Sequence, residues 1–284
     1  MTSINVGLEI VTMTDKVVDS LLDEVWSAFQ LLVRTDADAA DLLYQYLIDS
    51  NEMICGCSPS LTTHRRGSRF YTCHYCKNDF WLTSGTALDG VVKLRAWLAA
   101  IFFKDHGVAM SAARLSRLVA VAPSTALNIH KTLALVVCDE MSEAVEVSAS
   151  WFSQVIFKRS TQTPAQCHPR AELVEPEVAS SPLTLGPSSS VNLEQALFSF
   201  DFDLAPAKLR LAVSQFIGFI AQEFHGISRK CLQLYLASFW CTNDSIRWAP
   251  GSLLKACLSH APIRQEQVKN FVSPTRVLIM LPIL

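Results

Sequence analysis

Four cysteines carry the clearest chemistry in this chain. Cys55, Cys57, Cys73 and Cys76 lie in the stretch CGCSPSLTTHRRGSRFYTCHYCKNDFWLTSGT. Thiolates bind zinc tetrahedrally, and two short cysteine pairs on separate turns form the frame of a zinc ribbon. The second pair has Cys-x-x-Cys spacing, while the first is Cys-x-Cys, one residue short of the usual knuckle. His64 or His74 could therefore replace a member of the first pair. The plainer alternative is four reduced thiols that hold no metal. Phe70, Tyr71, Phe80 and Trp81 bracket the second pair, which suits short twisted strands packed around a metal. So small a module buries little apolar surface, and a structural Zn2+ would supply its folding energy.

The charge pattern isolates the same region. The chain of 284 residues has a formal net charge of −2. Residues 55–131 hold ten basic and three acidic groups, whereas residues 1–54 hold two and ten. Residues 132–205 are acidic, with three basic and ten acidic groups, and residues 206–284 are basic again, with nine and three. A local basic block can bind a polyanion in a chain of near-zero net charge. A solvated basic face is the competing account. Within the ribbon, Arg65, Arg66 and Arg69 are the candidates to meet phosphates.

The elements around the ribbon read as helices. Residues 14–34 repeat apolar side chains at three- and four-residue steps, with Thr14 as the expected N-cap. A second helix is expected after Asp36 and Asp38, with Leu42, Leu43, Tyr46 and Leu47 on its apolar face. Beyond the ribbon, LDGVVKLRAWLAAIFFKDHG predicts a long apolar helix ending at Gly107. SAARLSRLVAV predicts a short helix capped by Ser111. Pro123 cannot continue that helix but suits the first turn of the next, STALNIHKTLALVV. Two short helices across a tight turn make a helix-turn-helix, whose second helix can lie in a DNA major groove. Ser124, Thr125, Asn128, His130 and Lys131 are the expected exposed side chains at its start. Asn can read adenine and Lys can contact guanine or phosphate.

Five of the twelve prolines fall in residues 160–192, where no helical or strand period persists. This segment reads as a linker. Cys167 and His168 within it have no second ligand pair nearby and are read as incidental. From Pro206, APAKLRLAVSQFIGFIAQEFHG predicts a long helix apolar nearly all round, hence buried. SRKCLQLYLASFW predicts another, capped by Ser228. The terminal RVLIMLPIL is expected to dock as a strand. Nine scattered cysteines point to a reducing compartment. No leading basic region precedes an apolar core, and no apolar run reaches the ~18–20 residues of a membrane span. The expected location is cytoplasmic.

The ordered blocks YTCHYCKNDFWLTSGTAL, KLRAWLAAIFF, SAARLSRLVAV and STALNIHKTL resemble bacterial insertion-sequence transposases. These carry an N-terminal zinc ribbon, DNA-binding helices and a C-terminal DDE-type nuclease. AFQLLVRTDADAADLLYQYL is similar to the family's leading helices, and EFHGISRKCLQLYLASFW to the segment closing its nuclease domain. The resemblance implies double-stranded DNA as partner, with self-association or an intact transposase as further partners, and no membrane. The nuclease core departs from the pattern. Its first Asp would end a strand in VEVSASWF, where Ser148 and Ala149 stand instead. Its last acid would fall at Arg210. Asp201 and Asp203 are the nearest acids, and no third accompanies them. No catalytic residue is therefore assigned, and Mg2+ enters only if the chain is an active transposase.

The expected fold is mainly α with a small β zinc ribbon. Residues 1–54 form leading helices, 55–90 the ribbon and 91–145 a helix-turn-helix-like region. Residues 146–205 form a degenerate linker, and 206–284 a helical remnant of an α/β nuclease domain. The expected function is a transposase-like zinc-ribbon DNA-binding protein without transposase catalysis. The alternatives are an active DDE-type transposase and a zinc-ribbon adaptor that binds protein.

Overall fold

A computed structural model of the chain describes residues 20–153, 206–224 and 227–282. The expected cap Thr14, the linker segment with Cys167 and His168, and Asp201 and Asp203 lie outside these residues. The described chain is mainly helical, with two small antiparallel sheets. It divides into two units. One draws on Met1–Val137 and Cys241–Asn270, the other on Cys138–Trp240 and Phe271–Leu284.

The first unit opens with helix α1, residues 20–32, which buries Leu22, Val25 and Phe29 at three- and four-residue steps. Helix α2, Asp36–Ser50, is capped by Thr35. The Thr35 hydroxyl accepts from the Asp38 N–H at 3.1 Å, and Asp38 accepts from the Thr35 N–H at 2.9 Å. The cap is therefore Thr35, with Asp38 as its reciprocal partner. Ala39, Ala40, Leu43 and Leu47 form the buried face. Leu42 and Tyr46 flank that face rather than centre it, and Leu42 is exposed.

The ribbon follows as a three-stranded antiparallel sheet: β1 Thr62–His64, β2 Phe70–Cys73 and β3 Asn78–Trp81, in that order. Helix α3, Leu94–Asp105, is buried over most of its length. It starts later than the expected Leu88. The stretch from Leu88 folds into turns instead, with the Asp89 N–H donating to the Thr86 carbonyl at 3.0 Å and the Val91 N–H to the Leu88 carbonyl at 3.3 Å. Gly90 then takes φ +70°, a left-handed step that a helix cannot contain. Asp36 accepts the Arg95 N–H at 2.9 Å, so a residue of α2 caps the first turn of α3. At the far end, Gly107 takes φ +68° and stops the helix as expected.

Helix α4, Ala112–Leu118, begins at Ser111, whose hydroxyl accepts the Arg114 N–H. Helix α5, Pro123–Asp139, begins at the expected proline. The chain turns by 119° between the two. Ala120 makes the turn at φ +53°. Two further helices, Ser252–Ser259 and Gln265–Asn270, complete the unit. The Ala87 N–H donates to the Cys257 carbonyl at 3.0 Å, and the Gly251 N–H to Asp105 at 3.0 Å.

The second unit holds β4, Val145–Ser148, paired antiparallel with β5, Arg276–Ile279, in the register Val147↔Val277. The apolar tail thus supplies a strand, as expected. Residues 149–153 are helical. The unit's first long helix is Ala207–Glu223, and its second is Leu232–Asn243, entered through a 3-10 turn at Arg229–Cys231. Ser228 stands at the cap position of that turn, but its side chain makes no capping bond. Helix 207–223 is not buried all round. Leu209, Ala212, Val213, Phe216 and Phe219 face inward while Leu211 is 39% exposed. Its apolar residues line one stripe, as on a surface helix. Helix 232–243 is the more enclosed of the two. Phe239 packs edge to face against Phe216 and Phe219, with ring centroids 5.5 and 5.6 Å apart.

One buried side chain ties this unit's sheet to its helix. The Gln233 amide donates to the Leu278 carbonyl at 3.2 Å and accepts the Leu278 N–H at 2.7 Å. It therefore pairs the free edge of β5 as a neighbouring strand would.

Candidate metal centre

The four cysteines converge. Their sulfurs all lie within 4.8 Å of one another, and no other group of this kind occurs among the described residues. Four sulfurs at 2.3 Å from a central zinc would stand about 3.8 Å apart. The Cys57 and Cys76 sulfurs, at 3.3 Å, sit slightly inside that spacing. All four thiols are free of disulfides.

The short first knuckle closes because Gly56 takes φ +68°, which folds a one-residue spacer back on itself. The Gly56 N–H donates to the Met53 carbonyl at 2.8 Å, and the Cys55 N–H to the Tyr71 hydroxyl at 3.0 Å. Tyr71 is buried, so the first knuckle is anchored to β2. The second knuckle turns at Lys77, φ +61°, between β2 and β3. There the Cys76 N–H points at the Cys73 sulfur at 3.4 Å. That contact holds the Cys73 thiol down, to about 7, because an N–H dipole favours the thiolate. Cys57 is pushed up to about 12, chiefly by its hydrogen bond to Cys76. A ligand set with one ready thiolate and three sulfurs around it suits a soft divalent ion. Four protein sulfurs leave no open position, so such a centre is structural rather than catalytic.

Neither candidate histidine belongs to the cluster. His74 is exposed. The His64 ring stacks on Tyr44 at 4.3 Å between centroids and bonds the Ser68 carbonyl at 2.7 Å. It stands 3.7 Å from Asp41, whose carboxylate accepts the Gly67 N–H at 2.6 Å. His64 and Asp41 thus shape the arginine loop from beneath. Gly67 is required there. Its φ is +72°, and an added Cβ would stand 3.0 Å from the Ala37 Cβ.

The arginines of that loop divide. Arg65 is exposed, and Arg66 is 93% exposed with a 3.8 Å approach to Asp41. Arg69 is a clamp. It donates to the Val91 carbonyl at 3.0 Å and to that of Val92, with Asp36 3.9 Å away. It thereby fastens the ribbon to the start of α3.

The candidate reading helix divides likewise. Ser124 is exposed, and Thr125, Asn128 and Lys131 are half-buried on α5. His130 turns inward. Its Nε2 is buried without a hydrogen-bond partner, and burial, aided by the nearby Lys104, pushes the imidazole down to about 3. The sequence pattern does not separate it from its neighbours, because His130 is polar and next to Lys131. Arg117 on α4 is exposed, and its Nε donates to the Ala113 carbonyl at 3.3 Å.

Val145–Ser148 is a strand, and Ser148 ends it. Arg210 lies in the first turn of helix 207–223. Among the described residues, no single helix is long and apolar enough to cross a membrane. Comparison with protein-family models, with curated proteins and with solved structures produced no match for this chain.

Proposed function

We propose that this chain is a zinc-ribbon DNA-binding protein of transposase descent that does not itself cleave DNA. The observation that carries the reading is the four-sulfur cluster within a basic ribbon, followed in the same unit by two helices set at 119° across a short turn. That angle and a break of a few residues are those of a helix-turn-helix. In this reading Zn2+ is held by Cys55, Cys57, Cys73 and Cys76 and supplies folding energy to the ribbon. Arg65 and Arg66 meet phosphates. Ser124, Thr125, Asn128 and Lys131 start the helix that approaches base edges, while Arg69 and His130 act structurally. Strand cleavage is left out because Ser148 and Arg210 stand where the resemblance calls for acids. A neutral hydroxyl and a permanent cation are poor ligands for hard divalent ions.

The test is a salt titration of duplex binding by zinc-loaded protein. Phosphate-driven affinity falls steeply with salt. The double variant Arg65→Gln/Arg66→Gln should weaken binding to all duplexes alike and flatten the salt slope by about two. Asn128→Ala should instead relax sequence preference. Wild-type protein with salt-independent or no duplex affinity would remove DNA binding and leave the adaptor role. Metal-dependent nicking of DNA by purified protein would restore the enzyme reading.

A further inference from the structure

The ribbon sheet has two faces with different contents. Strand alternation buries Tyr71 and Cys73 on one face of β2 and exposes Phe70 and Thr72 on the other. The register sets Phe70 opposite Trp81 and Thr72 opposite Asp79. The outer face therefore carries an aromatic pair, with ring centroids 4.3 Å apart. Phe70 is 39% and Trp81 46% exposed. A concavity of about 500 Å³ runs along this face, lined among others by Thr63, Arg65, Phe70, Thr72 and Asp79.

We infer that this face binds single-stranded DNA, stacking unpaired bases on Phe70 and Trp81 with the phosphates drawn toward Arg65. The inference rests on the DNA-binding reading above and adds to it a strand form and a second surface. Three features choose this occupant. An aromatic side chain can stack only on a base whose own face is uncovered, which a continuous duplex does not offer. The concavity beside Phe70 is lined by hydroxyls, a carboxylate, a histidine and an arginine, with no aliphatic side chain in its lining, so it lacks the apolar core of a protein interface. The surrounding stretch 55–131 is also strongly basic, which complements a polyanion. Asp79 fits the arrangement. Its carboxylate accepts the Thr72 hydroxyl at 2.6 Å and would repel a phosphate, but it can accept from a base amino group. Bases thus lie over the strands and the backbone follows the loop.

The experiment uses the zinc-loaded full chain and three labelled probes in fluorescence anisotropy. They are an oligothymidylate, an abasic strand of equal length and a mixed-sequence duplex. The wild type should bind oligothymidylate about ten- to a hundredfold more tightly than the abasic strand, since the phosphates are the same and only stacking differs. Trp81→Ala should weaken oligothymidylate binding by a similar factor, while Trp81→Phe keeps most of it and duplex affinity stays unchanged. Zinc content of each variant, equal to that of the wild type, shows that the ribbon is intact. Equal binding of abasic and thymidine strands would overturn the inference without any variant. So would Trp81→Ala with full zinc and unaltered affinity, or a preference for the matching RNA strand. A wild type that binds duplex but not oligothymidylate sinks this inference alone. One that binds oligothymidylate but not duplex sinks only the duplex reading.

Discussion

Cys73 and Gln233 show how much one side chain can decide. Cys73 is the thiol lowered to about 7, and it is fully buried beneath the sheet. Cys73→Ala should abolish stoichiometric zinc, read by metal analysis of purified protein, because three sulfurs cannot close the set. Gln233 satisfies both backbone groups of Leu278 from inside the core. Gln233→Ala strands them and should cost roughly 2–4 kcal/mol in chemical denaturation. His130 should contribute to acid sensitivity. Its folded value near 3 lies below the ordinary 6.5, so the unfolded chain binds the proton first. Its contribution is complete above pH 6.5 and is lost as pH falls toward 3. Asp105 acts in the opposite direction, since burial raises its carboxyl to about 6 and protonation relieves that cost. His130→Asn should therefore flatten the fall in stability between pH 6.5 and 4 relative to wild type, with Asp105 common to both curves.

The turn between α4 and α5 carries a cost of its own. Ala120 holds φ +53°, a region that L side chains with a Cβ avoid. Ala120→Gly should stabilise the chain by up to about 1 kcal/mol in thermal or urea unfolding, with no change of metal content. Pro123 and Ser111 set the ends of these two helices as their chemistry requires, one lacking an N–H and the other offering a hydroxyl acceptor. Ser228 does not repeat the pattern, because a 3-10 turn intervenes and its hydroxyl caps nothing. The ribbon strands are only three or four residues long and cannot hold together by cross-strand pairs alone.

That weakness sets the behaviour of the protein as a body. The helices of the first unit have their own apolar core, built from residues such as Phe29, Leu43, Phe103 and Leu133, whereas the ribbon has few buried side chains besides Tyr71 and Cys73. Chelation should therefore melt the ribbon first. Far-UV circular dichroism should keep most of its helical signal, while hydrogen exchange of residues 62–81 should rise sharply. Loss of helical signal in step with the ribbon would show that the two fold as one cooperative piece.

The cysteine cluster, the strands around it, the Pro123 and Ser111 helix starts and the docked tail strand were all legible in the sequence. Each rests on local chemistry: ligand spacing, β-branched and aromatic runs, a missing N–H, a capping hydroxyl. The four-cysteine set is also the sequence's expectation, but why it closes without a histidine was not legible, because that depends on Gly56 folding back and on Tyr44 and Ser68 claiming His64. The roles of Arg69 and His130 were hidden for the same reason. An arginine beside two others reads as a phosphate contact until the carbonyls of Val91 and Val92 are brought to it. A histidine beside Lys131 reads as exposed until α3 covers it with Lys104. The single buried stripe of helix 207–223 and the Gln233 amide on β5 likewise follow from long-range packing, in which residues far apart in the chain decide which side of each element meets water.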